Sequence, residues 1–168
     1  MPDIKTAIAA HRAAIKDLNT AAEKSGSSWT TPRAPGKWSP SQVMEHVARA
    51  LEESANLVAG LPTKFPTLPS FIRPIVRSLF FNRTIKKNKF PRAKTSKPFD
   101  PEIGLPTPAE ACKRLESAAD KFERACSTSA ASGKNVESGV FGTVSVVDYV
   151  KFQELHARRH CTQLPGVR

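Results

Sequence analysis

Hydrophobic residues near the start of the chain recur at alternating steps of four and three, which is the period of one face of an amphipathic helix. Pro32, Pro35 and Gly36 cannot continue such a helix, so we expect it to end near Ser25-Gly26. The sequence thus predicts a first helix whose inner stripe is Ile4, Ile8, His11, Ile15, Leu18 and Ala22.

A capping signal predicts the start of a second helix. Ser39 is suited to the N-cap, Pro40 to the first helical position, and Gln42 to closing a capping box. Trp38 directly precedes this signal, and we favour a hydrophobic staple onto the helix over a place at the entrance of a site. His46 lies on the inward stripe of this helix, together with Val43, Val47, Ala50, Ser54, Leu57 and Val58.

Two further helices complete the pattern. Thr107 to Glu110 repeats the start signal, and apolar residues from Ala111 to Cys126 follow at helical spacing. The Ser/Gly-rich stretch 127–139 predicts a break, after which Ser145 is the expected N-cap of a last helix that stops at Pro165-Gly166. No run alternates as a half-buried strand does, so we expect an all-α fold of the four-helix bundle type.

Residues 62–106 form a long, proline-rich insertion between the second and third of these helices. Its central part, SFIRPIVRSLFFNRTIKKNKF, predicts one or two short helices broken at Pro74. The interleaving of apolar and basic residues is compatible with a lid, an interfacial membrane helix or a homodimer contact, and we favour a lid across one end of the bundle. The segment has no acidic residue before Asp100, and its basic residues are Lys64, Arg73, Arg77, Arg83, Lys86, Lys87, Lys89, Arg92, Lys94 and Lys97.

Composition agrees with a single domain over residues 1–168. A chain of 168 residues with 39% hydrophobic content can bury a core without disulfides. No secretory signal and no stretch of about 20 apolar residues is present, so we expect no transmembrane segment and a cytoplasmic protein. Much of the formal net charge of +11 lies in the insertion, where an electrostatic partner would bind.

Three histidines form the main candidate site. His156 and His160 are four residues apart, so both imidazoles project from one helical face and can reach one ion. His46 lies near the start of the second helix and His160 near the end of the fourth, which puts them at one level if these helices are antiparallel. Three histidines leave a coordination position for water or substrate. An isolated HxxxH pair is equally compatible with histidines that bind no metal.

Arg158 and Arg159 stand where a zincin protease has its glutamate, so HExxH chemistry is not indicated.

The early GKWSPSQVMEHVA and the late GVFGTVSVVDYVKFQELHARRHCTQL together resemble the DinB-like superfamily, also described as DinB/YfiT-like metalloenzymes. In that superfamily an early W-[ST]-x-x-[EQ]-x-x-x-H segment and a late H-x-x-x-H supply three metal ligands, which match His46, His156 and His160 here. The terminal HxxRHxxQ, with Arg159 and Gln163, is similar to an uncharacterised subgroup.

The resemblance implies a metal-dependent enzyme with zinc or nickel as cofactor. Superfamily members of assigned activity are thiol-dependent S-transferases and isomerases, so the implied substrate is a small molecule such as a low-molecular-weight thiol. Transferase and hydrolase chemistry both remain open, and no catalytic residue is assigned. The alternative is a non-enzymatic binding module whose basic insertion contacts nucleic acid or an anionic surface.

Four other residues are candidates for supporting the site. His11 lies on the inner stripe of the first helix, where a histidine satisfied within the core is the more common situation. Tyr149 and Gln153 precede His156 by two turns and one turn and can contact a ligand, although core packing is as good an interpretation of Tyr149. Glu53, two turns after His46, is the nearest acidic candidate for proton transfer.

The three cysteines, Cys112, Cys126 and Cys161, lack C-x-x-C spacing, and we interpret them as packing residues.

Overall fold

The computed structural model describes residues 3–165, and they are mostly helical. Within this range no helix has both the length and the apolar composition needed to cross a lipid bilayer. In chain order the helices are α1 (Ile4–Glu23), α2 (Pro40–Val58), α3 (Arg73–Val76), α4 (Arg83–Lys87), α5 (Pro108–Ala131) and α6 (Val146–Cys161). A π-helical turn, Arg77–Asn82, joins α3 to α4, and short 3₁₀ turns lie at Gly26–Ser28 and Lys97–Phe99.

The helix starts predicted from capping signals are confirmed. Ser39 caps α2 in a capping box. Its hydroxyl accepts a hydrogen bond from the backbone N–H of Gln42, and Oε1 of the Gln42 side chain accepts one from the backbone N–H of Ser39. Thr107 caps α5 and Ser145 caps α6 by the same hydroxyl-to-amide contact. Each cap satisfies one of the amide donors that a helix N-terminus leaves without an intrahelical partner, so a local signal sets where these helices begin.

The four long helices pack around one hydrophobic core. Helix α2 lies chiefly against α5, and α1 lies chiefly against α6. Their inward stripes are almost entirely removed from solvent, as the spacing of the apolar residues predicts. Residues with no more than 1% exposure include Ile15, Leu18, Val47, Leu51, Leu115, Phe122 and Val150.

The chain between α5 and α6 differs from the expected break. Helix α5 continues past Ser127 to Ala131, and a two-stranded antiparallel hairpin follows, with β1 (Val136–Ser138) paired to β2 (Gly142–Val144). Each strand has only three residues, too few to show an alternating pattern in the sequence. Val136 and Val144 face the core, which pins the hairpin against the helices.

Pro74 also behaves differently from the prediction, since it begins a helix instead of breaking one. It lies in the first turn of α3, where the missing amide hydrogen costs nothing because that turn has no intrahelical acceptor. The helical path then runs on to Lys87. Phe81, on this path, is 2% exposed, and its ring centroid lies 5.0 Å from that of Phe152 on α6.

The second half of residues 62–106 returns over the start of α2. The Gln42 side chain donates to the carbonyls of Pro101 and Glu102, and the Trp29 indole donates to the carbonyl of Leu105. Gly104 lies so close to Ser41 that an added Cβ would be 2.2 Å from the Ser41 carbonyl oxygen. These contacts place Phe99 beside the second turn of α2, where it reaches the candidate site.

We expect Phe81→Ala to lower the free energy of unfolding by about 3–5 kcal/mol, because it removes a large ring buried between two elements. Leu79→Ala is the matched control, since Leu79 is 66% exposed on the same helical path and its loss should cost less than about 0.5 kcal/mol. Urea denaturation monitored by circular dichroism measures both values. Equal effects of the two substitutions would show that the insertion does not pack on α6.

Candidate metal site

Two helix ends bring three histidines together. His46 lies in the second turn of α2, and His156 and His160 lie in the last turns of α6. The Nε2 atom of His156 is 3.2 Å from that of His46 and 3.0 Å from that of His160. All three side chains are buried, with 6%, 9% and 7% of their surfaces exposed in chain order. The sequence-predicted trio therefore converges on one point.

Hydrogen bonds at the far side of two rings orient their inner nitrogens. The Nδ1 of His46 lies 2.7 Å from the Phe99 carbonyl oxygen, and the Nδ1 of His160 lies 2.8 Å from Oε1 of Gln163. Both partners are acceptors, so each Nδ1 carries the hydrogen and donates it. In a neutral imidazole this leaves a lone pair on Nε2, and both lone pairs are directed toward His156.

Burial lowers the pKa of all three imidazoles, and mutual repulsion between neighbouring rings adds to the effect at His156 and His160. They are accordingly neutral near pH 7. The single Nε2 of His156 can donate at most one proton, so at least one of the two short N–N contacts brings lone pairs face to face. Such a contact is unfavourable unless a cation lies between the nitrogens.

The donor set fits a divalent metal ion. The candidate ligand atoms of His46, His156 and His160 all lie within 4.8 Å of one another. Nitrogens bound to one tetrahedral ion at about 2.0–2.1 Å are about 3.3 Å apart, close to the two contacts between the rings here. Neutral imidazoles suit zinc, nickel and several other first-row ions. The three histidines could hold such an ion through Nε2.

Aromatic rings enclose the cluster. The Trp38 ring centroid lies 4.8 Å from that of His46 and 6.3 Å from that of His160. The Phe90 ring lies 4.9 Å from that of His156. Trp38 therefore belongs to the site wall, as in the alternative that we weighed from the sequence, whereas the hydrophobic staple stays a prediction. Phe90 and Phe99 come from the insertion, and no local sequence signal pointed to either of them.

Of the candidate supporting residues, Gln153 lines the cavity that opens from the histidines. Its amide nitrogen donates to Ser54, whose hydroxyl is 3.1 Å from the Tyr149 hydroxyl. Oε1 of Gln153 is buried and has no hydrogen-bond partner among residues 3–165. Tyr149 lies behind this network, and burial raises its pKa to about 12, so it is a donor and not a base at neutral pH.

His11 and Glu53 lie elsewhere in the molecule. The Nδ1 of His11 is 2.8 Å from Oε1 of Glu123, in a contact between α1 and α5 that also includes Arg12. Oε2 of Glu53 accepts a hydrogen bond from the Lys64 amide at 2.8 Å. Neither side chain lines the cavity, so the structure does not bring them to the histidine cluster.

The cysteines are buried away from the cluster, consistent with packing roles. Burial raises the pKa of Cys112 to about 11 and also raises the pKa of Cys126 and Cys161. A thiol is nucleophilic only as the thiolate. None of the three side chains supplies a nucleophile at neutral pH.

Chelator-treated protein should lose stability as the pH falls from about 7 toward 5. Burial lowers the pKa of His160 to about 3 in the folded state, whereas the unfolded state keeps a pKa near 6.5. Below 6.5 the unfolded chain therefore binds a proton that the folded chain rejects, and His46 and His156 act in the same direction. Urea midpoints across this range measure the slope, which should be shallower in His160→Leu. A flat profile would contradict the burial of neutral imidazoles.

Comparison with known proteins gives one family and no further relative. No curated protein and no solved structure matches the chain. A family model described as "Protein of unknown function (DUF1569)" matches residues 5–166, which include all three clustered histidines and the insertion. The match spans nearly the whole chain, and the protein therefore belongs to the DUF1569 family.

Proposed function

We propose that the protein is a metal-dependent enzyme in which His46, His156 and His160 hold one zinc or nickel ion at the floor of a substrate cavity. The observation that carries the proposal is the convergence of three buried, neutral imidazole nitrogens with facing lone pairs. A purely structural role leaves that arrangement unexplained, because buried polar atoms normally pair donor with acceptor.

The surrounding residues indicate which chemistry suits the site. A divalent ion held there lowers the pKa of a bound thiol or water. Phe99 and Gln163 keep the ring nitrogens correctly protonated, and Trp38 and Phe90 limit access of water. No carboxylate lines the cavity within residues 3–165. A thiol, with an ordinary pKa near 8.5, needs a smaller shift than water and no built-in base, which favours S-transfer over hydrolysis.

We further propose that the family is DinB-like. The four long helices would then be the four-helix bundle, residues 1–168 one domain, and residues 62–106 its insertion. Support comes from the order of the ligands along the chain, with the early histidine on α2 and the HxxxH pair on α6. The terminal HxxRHxxQ motif would place the protein in the subgroup that carries it.

We expect untagged protein to contain about one equivalent of zinc or nickel, and His156→Ala to contain less than about a tenth of that amount. Mass spectrometry of the metal content measures both values. His11→Gln is the control, since it alters the one histidine outside the cluster and should keep the metal. Equal metal content in wild type and His156→Ala would overturn the proposal.

A second candidate function rests on the exposed surface of the insertion. Phe71, Ile75 and Leu79 are 74%, 57% and 66% exposed and follow each other at spacing four. Exposed basic residues continue the segment, and the sequence has no acidic residue between Glu53 and Asp100. Apolar side chains flanked by cations suit an anionic lipid surface better than the polar backbone of nucleic acid. The flanking cations are Arg83, Lys86, Lys87 and Lys89.

Vesicles containing anionic lipid should sediment the protein, whereas neutral vesicles should not. A double Ile75→Glu, Leu79→Glu variant should bind at least about tenfold more weakly, because it removes apolar contact and adds repulsion. Ile103→Glu is the control at another site, where the side chain is 80% exposed. Binding to duplex DNA that the double variant retains would favour nucleic acid instead and contradict the lipid interpretation.

A further inference from the structure

The cavity above the histidine cluster is lined by positive charge. It has a volume of about 310 Å³, enough for a small organic molecule. Arg33, Lys37, Lys94 and Arg159 line it, and none of the lining residues is acidic. The carboxylate of Asp100 accepts a hydrogen bond from the indole of Trp38, a lining residue, but Asp100 itself does not line the cavity.

These cations differ from several arginines of the long helices, which form salt bridges. Arg114 pairs with Glu45 and Glu52, and Arg158 pairs with Glu154 and Asp17. By contrast, across residues 3–165 none of the four cavity cations has a carboxylate within 4.0 Å. The positive charge of these four side chains is therefore not neutralised by a neighbouring carboxylate and is available to a bound anion.

Of the four cavity cations, Arg159 is the nearest in sequence to the three histidines. It directly precedes His160 and is half-buried, and its guanidinium donates no hydrogen bond to another described residue, although its backbone carbonyl accepts one from Thr162. Arg33 lines the same cavity, so its positive charge lies near that of Arg159. Like charges held together without a counter-ion are unfavourable, and a bound anion would relieve the repulsion.

Part of the cavity lining is apolar. Phe65 and Phe99 stack with ring centroids 4.8 Å apart, and Phe90 and Phe152 are 5.0 Å apart. All four rings line the cavity together with Val43 and Ala50. One ligand that satisfies both parts has an anionic end and an apolar body.

We propose that this cavity binds a small organic anion, with its carboxylate or phosphate held by Arg159 together with Arg33, Lys37 and Lys94, and its apolar body against the phenylalanines. The inference deepens the proposed enzyme, since it names the class of substrate that would meet the metal site. It depends on the cavity and its charges, however, and anion binding is expected with or without metal.

Calorimetric titration of metal-free and zinc-loaded protein tests the inference with three probes of similar shape. They are 3-phenylpropionate, 2-phenylethyl phosphate and the neutral 3-phenylpropanamide. We expect both metal-free and zinc-loaded protein to bind at least one anion at least about tenfold more tightly than the amide, and the two anionic probes to distinguish carboxylate from phosphate. Equal affinity for all three probes would overturn the proposal.

Two neighbouring arginines on α6 provide a matched pair of variants. Arg159→Gln should weaken anion binding by about tenfold and leave amide binding unchanged, whereas Arg158→Gln, on the outward face, should behave as wild type. If Arg159→Gln does not fold, Arg33→Gln replaces it, since Arg33 lines the cavity from an exposed loop and its loss should also weaken anion binding. Anion affinity unaffected by either cavity substitution would overturn the proposal.

Metal content measured on the same samples separates the two proposals. Arg159→Gln that keeps its metal but loses anion affinity supports both. Anion binding that depends on Arg159 in protein that never binds metal supports the anion cavity and removes the metalloenzyme. Anions that bind only zinc-loaded protein, with no effect of Arg159→Gln, are metal ligands alone and overturn the inference.

Discussion

Three imidazole nitrogens with 3.0–3.2 Å contacts, all removed from water, set the strongest physical constraint in this molecule. Neutral rings cannot satisfy both contacts by sharing protons, and burial opposes the charged forms that would repel one another. A divalent cation, which these three histidines could hold, would resolve the conflict because it would accept all three lone pairs. The Phe99 carbonyl and the Gln163 side chain hold the rings of His46 and His160 in the orientation that this convergence requires.

The segment 62–106 also contributes to the site, although the three histidines come from the long helices. It supplies the Phe99 carbonyl that accepts from His46, and the Phe90 ring beside His156. Its position is held at one end by Phe81 against Phe152 and at the other by the close approach of Gly104 to Ser41. A segment without regular structure over much of its length is thus fixed by a few buried contacts, which is how a loop can present a rigid hydrogen-bond acceptor.

The basic side chains differ in whether a carboxylate lies beside them. Several arginines of the long helices form salt bridges with carboxylates, as Arg114 does with Glu45 and Glu52. At the cavity, cations line an apolar pocket without counter-ions, and on the outer side of the insertion further cations flank exposed apolar residues. The basic residues of the described chain therefore include one group at the cavity beside the histidines and another on the exposed part of the segment 62–106.

Local signals determined much of the helical framework. Caps at Ser39, Thr107 and Ser145, and the periodic apolar stripes, are properties of a few adjacent residues, so the helix starts and the inward direction of His46, His156 and His160 were readable in the sequence. Pro74 was misjudged because a proline favours the first turn of a helix as strongly as it disfavours the interior, and only neighbouring structure selects between them. The hairpin was missed because its strands are too short for a pattern. Phe90, Phe99, Arg33, Lys37 and Lys94 were assigned to the site only by the tertiary structure, since contacts between distant segments depend on how residues 62–106 fold back and not on any local spacing.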